Sequence, residues 1–269
     1  MLLAVAVGVA GCMKSVDSQD EAKVIENDEQ ILKYLADSIQ ATKDPSGYYF
    51  IKRKTNPLGD SAKLGDEVTV ALTGYLVGSK TAVTTDTVAF PAGGNTLLYG
   101  VELAIRKVLT GEKATLFLPY YLAFGNTART NIPAYSAIRM EMEFIKTRTE
   151  VQQIDEFLLK KKFVVTERTP ENLVIVRTDT LKTNIGVGPG KSVTVKYIGK
   201  YLSDVKFDEG SFTYNTGTGN LIAGFDQAVQ KLPLKGKAIV VFPSSLGYKA
   251  AGYNQIPPYA PLQFELEIQ

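Results

Sequence analysis

The stretch Val193-Thr-Val-Lys-Tyr-Ile-Gly-Lys-Tyr-Leu-Ser-Asp-Val-Lys-Phe-Asp208 decides how the rest of the chain is read. Its first half sets Val193, Val195 and Tyr197 against Thr194, Lys196 and Ile198, the period-two pattern of a strand with one face buried. Downstream, Leu221-Ile-Ala-Gly-Phe-Asp-Gln-Ala-Val-Gln230 places Leu221, Phe225, Ala228 and Val229 at helical spacing. Leu234-Lys-Gly-Lys-Ala-Ile-Val-Val-Phe-Pro243 returns to strand chemistry. Gly247-Tyr248, Ile256-Pro-Pro258 and the alternating Leu262-Gln-Phe-Glu-Leu-Glu-Ile268 complete the segment.

In that order, Tyr-Ile-Gly, Lys-Phe-Asp, Leu-Ile-x-Gly, Gly-Tyr, Ile-Pro-Pro and the final strand closely resemble the FKBP family of peptidyl-prolyl isomerases, from Ser192 to Gln269. The resemblance implies an α+β domain in which a curved antiparallel sheet wraps over one short helix, with an apolar pocket between them. It places the pocket at Tyr197, Phe207, Asp208, Phe212, Leu221, Ile222, Phe225, Tyr248, Tyr253, Ile256 and Phe264. It further implies that Asp208 pairs with Tyr197, that Tyr248 donates to a substrate carbonyl, and that the Ile222 N–H meets the chain after the proline. Tyr197, Asp208 and Tyr248 are then the candidate catalytic residues and the others bind substrate. Pro-containing polypeptide segments are the implied partners, macrolides the implied inhibitors of this domain, and no cofactor or metal is required. The family usually carries Trp at the pocket floor and Gly after the second tyrosine, where this chain has Phe225 and Lys249. Aromatic character survives, so weaker or altered selectivity, and not loss, is the expected consequence.

Composition limits the alternatives. A chain of 269 residues with 45% hydrophobic and 22% charged residues can fill two globular domains. A net charge of +2 offers no basic excess for nucleic acid. The count of His is 0, which excludes serine-type triads, His-dependent metal sites and imidazole acid/base chemistry. Gly217-Thr-Gly219 reads as a tight strand-to-helix turn rather than a phosphate loop.

The chain also repeats itself. Val68 matches Val193 and Gly74 matches Gly199 at an offset of 125, while Gly100, Pro119 and Pro133 match Gly224, Pro243 and Pro257 at 124. A nearly constant offset over this distance is a duplicated domain. Helices lead both copies: one starting at Asn27 or Asp28 with Ile31, Leu32, Leu35 and Ile39 on one face, the other over Val151 to Lys160. The expected division is therefore residues 28–148 and 149–269. Across the repeat Tyr197 corresponds to Leu72, Phe225 to Val101, Tyr248 to Phe124 and Phe264 to Met140. Phe207-Asp208 finds no counterpart in the Thr-rich Gly78 to Thr87. The first copy reads as a degenerate relative and the second as the isomerase.

Residues 1–11 contain the apolar run Leu2-Leu-Ala-Val-Ala-Val-Gly-Val-Ala-Gly11, too short to span a bilayer and the length of a signal-peptide core, though no basic residues precede it. Val9-Ala-Gly-Cys12 resembles the bacterial lipobox, which implies diacylation of Cys12, a tether over residues 12–27, and a lipid-anchored protein of the cell envelope. Met13 after the cysteine points, by the same resemblance, to the outer membrane of a Gram-negative bacterium. Two functions stay open at this level: an isomerase that helps envelope proteins fold, and a non-catalytic module that docks Pro-containing segments of a surface, secretion or motility complex. Mass spectrometry of the mature N-terminus should find an acylated Cys12, and Cys12→Ser should release the protein from the detergent phase. An unmodified Met1 would overturn the anchor.

Overall fold

The computed structural model describes residues 18–36, 41–183 and 185–269, and builds one unit twice. Strands β1 (Thr42–Lys43), β2 (Tyr49–Lys54), β3 (Glu67–Leu76), β4 (Ala82–Pro91), β5 (Lys113–Leu118) and β6 (Ile138–Arg148) form a sheet in the order β1-β2-β5-β6-β3-β4. Strands β7 (Glu167–Arg168), β8 (Val174–Arg177), β9 (Ser192–Tyr201), β10 (Lys206–Asn215), β11 (Lys237–Phe242) and β12 (Leu262–Ile268) repeat it as β7-β8-β11-β12-β9-β10. All pairings are antiparallel. Each sheet has a leading helix, α1 (Ser18–Leu35) or α3 (Glu150–Lys161), and a short inner helix, α2 (Tyr99–Ala104) or α4 (Ala223–Lys231). This is the α+β architecture expected, with two FKBP-like domains.

The second domain shows why two helices are needed. Strand β11 runs Ala238-Ile-Val-Val-Phe242 with no polar side, so both of its faces need cover. Ala238, Val240 and Phe242 turn to α4 and pack with Phe225, Ala228, Val229 and Leu232. Val241 turns the other way, with Val174 and Val176, and meets Ile154, Phe157 and Leu158 of α3. Strand β12 alternates, sending Leu262, Phe264, Leu266 and Ile268 into the α4 core. Close approach of α4 requires Gly224, because a Cβ there would stand 2.5 Å from the Phe242 ring. The first domain repeats the plan: Val101 and Ala104 of α2 share a core with Leu116 and Leu118, while Ile31 and Leu35 of α1 pack on Phe117 and Ile51 across the sheet.

The junction between the domains has no spare residue. Strand β6 ends at Arg148, and Thr149 caps α3: its hydroxyl accepts from Gln152 N at 3.2 Å while Gln152 Oε1 accepts from Thr149 N at 2.8 Å. The Arg148 guanidinium pairs with Glu67 of β3 and Glu156 of α3, one carboxylate from each domain.

The first leading helix departs from expectation. It is already helical at Ser18, the first described residue of this stretch, so residues 18–27 are helical where a tether up to Asn27 or Asp28 was expected. The cause lies in Glu21-Ala-Lys-Val-Ile-Glu26, mostly good helix formers with a Lys23–Glu26 pair at 2.6 Å, and in Asn27, which is not a cap. Asn27 is buried, accepts from Tyr120 N at 2.8 Å and donates to Tyr135 O at 3.0 Å. Leu32, placed on the apolar face by spacing, is exposed. Ile39, Cys12 and the expected signal peptide lie outside the described residues.

Because α3 covers an otherwise bare sheet face, Ile154→Ala should destabilise the second domain by about 3 kcal/mol in urea unfolding. Leu159→Ala, on the exposed side of the same helix, should cost less than about 0.5 kcal/mol.

Candidate functional site

One extra residue organises the candidate site. Lys206 pairs with Lys200 and Asp208 with Gly199, leaving Phe207 as a β-bulge. Neighbours on a regular strand point to opposite faces, whereas here consecutive residues both reach the pocket. The Phe207 ring packs edge-on against Phe264, with centroids 5.6 Å apart, and lies 5.2 Å from the Tyr201 ring. Asp208 Oδ2 accepts from the Tyr197 hydroxyl at 2.8 Å. Gly199 opposite the bulge makes room: a Cβ there would lie 2.6 Å from Phe207 and 2.9 Å from Phe264. Asp208 is exposed, so its pairing with Tyr197 is a feature of the rim and not a consequence of burial.

Phe225 and Phe264 form the buried floor, their rings perpendicular with centroids 5.4 Å apart. Tyr197 stands at 88° to Phe225, and Phe212 lies nearly parallel to it at 6.0 Å. Leu221 and Ile222 are half-buried and precede α4, so Leu221 does not lie within the helix as its spacing had suggested. Ile222 is the N-cap in extended conformation; its carbonyl accepts from Phe225 N and Asp226 N, while its own N–H finds no acceptor among the described residues. That amide is available to a ligand.

The long loop after β11 supplies the far wall. Tyr248 is half-buried and stacks on the exposed Tyr253 at 5.2 Å and 11°, with its hydroxyl unpartnered among the described residues. Ile256 is buried, and its N–H and carbonyl both bond to the backbone of Tyr253. Lys249 has φ 56°, a left-handed position that explains the family's preference for glycine there. Its carbonyl accepts from Tyr259 N at 2.9 Å.

Two residues that sequence reasoning missed hold this arrangement. The Gln255 side chain donates to Phe207 O at 2.6 Å, and the Gln255 carbonyl accepts from Tyr201 OH at 2.6 Å, tying the loop to the bulge. Nothing local signals such a contact. Asp226 is buried on α4 and accepts from Tyr214 OH, Gly217 N and Gln230 Nε2, each at 3.0 Å, fixing the turn at Gly217. A carboxylate directly after the floor phenylalanine was the available clue.

Burial, with the Asp208 carboxylate beside it, pushes the Tyr197 hydroxyl up to about 12. Burial likewise raises Tyr248, with smaller contributions from Tyr253 and Asp208. Both hydroxyls therefore remain protonated donors throughout the neutral range.

The first domain shares this backbone plan but carries other side chains on it. Gly74 pairs with Thr84 and Tyr75 with Ala82, so the bulge recurs at Val83. Phe207-Asp208 thus does have a positional counterpart, Val83-Thr84, hidden in sequence because neither side chain survives. Leu72, Val101, Phe124 and Met140 stand where Tyr197, Phe225, Tyr248 and Phe264 do in the second copy, and Val88 takes the place of Phe212.

A duplicated sheet with this aromatic basket defines the class, and comparison with known proteins defines the family. The chain belongs to the FKBP-type peptidyl-prolyl cis-trans isomerase family, whose model matches residues 59–145 and again 184–269. It is 36% identical over 85 residues to an FK506-binding protein of Neisseria meningitidis, covering 29% of this chain and 78% of that one. It is 34% identical over 116 residues to FK506-binding protein 4 of Dictyostelium discoideum, covering 39% of this chain and 32% of the relative. The chain spans a third or less of the length of that protein and of two further relatives, covering 32%, 23% and 22% of them. Among solved structures, the three FKBP domains of wheat FKBP73 align over 86% of this chain and 98% of that one, with 20% identity and a TM-score of 0.43.

The raised Tyr197 hydroxyl has a consequence for stability. In the unfolded chain it ionises near 10 and in the folded one near 12, so its contribution is complete below pH 10 and is lost as pH rises through 12. Thermal unfolding between pH 9.5 and 11.5 should therefore fall less steeply for Tyr197→Phe than for wild type.

Proposed function

We propose that the second domain catalyses cis-trans isomerisation of X-Pro bonds in polypeptide chains, and that the first domain is a non-catalytic copy. The observation that carries this reading is the rim of the aromatic basket, where the Tyr197–Asp208 pair, the free Tyr248 hydroxyl and the free Ile222 amide surround the buried floor of Phe225 and Phe264.

The chemistry asks little of a protein. Rotation about the X-Pro bond meets a barrier of roughly 18–20 kcal/mol because the amide C–N bond has partial double-bond character. Nothing is cleaved or permanently protonated. The planar amide is more polar than the twisted one, so an apolar, water-poor basket disfavours the ground state relative to the transition state. Phe207, Phe212, Phe225 and Phe264 supply that surrounding. Tyr248 donates to a substrate carbonyl, the Ile222 N–H orients the chain beyond the proline, and Asp208 fixes Tyr197 at the rim. Tyr253 and Ile256 line the loop side, and Leu221 lines the approach to α4. The same basket suits a macrolide inhibitor.

The cellular role follows from the anchor reading: a lipid-anchored envelope protein, held at Cys12, whose clients are Pro-containing segments of other envelope proteins. In the first domain Leu72 and Phe124 supply no hydroxyl, and Thr84 no carboxylate, so it contributes no turnover of its own.

Tyr248→Phe or Asp208→Val should lower turnover of an unstructured X-Pro peptide about tenfold, equal to about 1.4 kcal/mol of transition-state stabilisation, with a smaller change in unfolding free energy. Neither tyrosine ionises below pH 10, so turnover should be flat from pH 6 to 9. Equal losses in turnover and stability would make these residues structural. A wild-type chain that binds Pro-containing peptides without turning them over would establish the docking module instead.

A further inference from the structure

The loop that carries Tyr248 runs from Ser244 to Tyr259, its counterpart in the first domain runs from Tyr120 to Tyr135, and both ends of each are held from outside the loop. In the first domain a single residue of the leading helix holds both: Asn27 accepts from Tyr120 N at 2.8 Å at the start and donates to Tyr135 O at 3.0 Å at the end. In the second domain the two anchors have separated. The start is held by Glu150, the first residue of α3, whose carboxylate accepts from Ser244 N and from Ser244 Oγ, the latter at 2.7 Å. The end is held by the other domain. The Tyr259 ring lies on Gly65, so closely that a Cβ on Gly65 would fall 2.8 Å from Tyr259 Cδ1. Beside it, a Cβ on Gly94 would stand 3.5 Å from Pro258. Ala89, Pro91, Gln153 and Tyr201 line the same crevice between the domains.

The contact is one hydrogen bond from the candidate site. Tyr259 N donates to the carbonyl of Lys249, the residue that follows Tyr248 and sits at φ 56°. A non-glycine residue in that conformation is held there by its surroundings, at a cost of about 1 kcal/mol. Losing the Tyr259 bond frees Lys249 to relax, and Tyr248 moves with it. The junction adds rigidity: Arg148 bridges Glu67 and Glu156, and no unstructured residue separates β6 from the Thr149 cap.

We propose that the degenerate first domain is a splint for the second domain's site, with Tyr259 as the positioning residue through which it acts on Tyr248. This rests on the reading of the second domain as the isomerase. The splint gives the first domain a task that needs none of the lost pocket groups.

The test uses the complete chain and two readouts, kcat/KM on an X-Pro peptide and hydrogen exchange of the loop amides. Tyr259→Ala should lower kcat/KM about fivefold and speed exchange at the Tyr259 amide at least tenfold, while Tyr259→Phe, which keeps the ring on Gly65, should match wild type in both. Gly65→Ala, in the other domain, should reproduce the Tyr259→Ala phenotype, and the double variant should lose no more than Tyr259→Ala alone. Should Gly65→Ala unfold the first domain, seen as loss of its thermal transition, the Ala and Phe variants of Tyr259 still decide the matter. Turnover and exchange both unchanged in Tyr259→Ala, or fully additive losses in the double variant, overturn the splint. A wild-type chain without turnover overturns the isomerase reading and with it the effect on Tyr248.

Discussion

A strand that is apolar on both sides cannot face water, and each sheet has such a strand at its centre. Strand β5 carries Leu116 and Leu118 on one face and Phe117 on the other; β11 carries Val240 and Phe242 against Val241. Every larger feature follows from the need to bury both faces. The inner helices α2 and α4 cover one side and set the floor on which a ligand would rest. The leading helices α1 and α3 cover the other, and this is why each domain extends upstream of the region that the family model matches. With both faces covered, a side chain can reach a ligand only from the rim, and all candidate polar groups lie there.

The rim is assembled from segments far apart in sequence, and its precision comes from backbone irregularity. The bulge at Phe207 turns two adjacent side chains to one face, and Gly199 leaves space for the ring that results. The Ile222 cap presents an N–H that a longer helix would have consumed. Gln255 and Asp226 lock the loop and the turn around these points. The aromatic rings then fill the space, and burial by them raises the hydroxyls of Tyr197 and Tyr248.

The sequence revealed the duplication, the strand alternation and the aromatic positions because each leaves a local or periodic trace. Val193 and Val195 alternate with polar neighbours, and the offset of 124 or 125 survives in glycines and prolines that the backbone needs. Long-range hydrogen bonds leave no such trace. Asn27 looked like a helix cap because it precedes an apolar face, yet its partners Tyr120 and Tyr135 lie about a hundred residues away. Gln255 and Glu150 were invisible for the same reason. Val83-Thr84 was not recognised as the partner of Phe207-Asp208 because a bulge is a property of register, which only the paired strands reveal.

That shared bulge says something about how far apart the two copies have drifted. Removing one residue from a strand would turn everything beyond it to the wrong face, so backbone register is hard to lose and hard to regain. Side chains carry no such lock. The first domain has the bulge at Val83 and the glycine opposite it at Gly74, with leucine and threonine where the second has Tyr197 and Asp208. Between the two copies the paired strands of this hairpin differ in exchangeable letters on the same ruled lines, and the one residue by which the offset falls from 125 to 124 sits in the turn between Tyr75 and Ala82, where it disturbs no register.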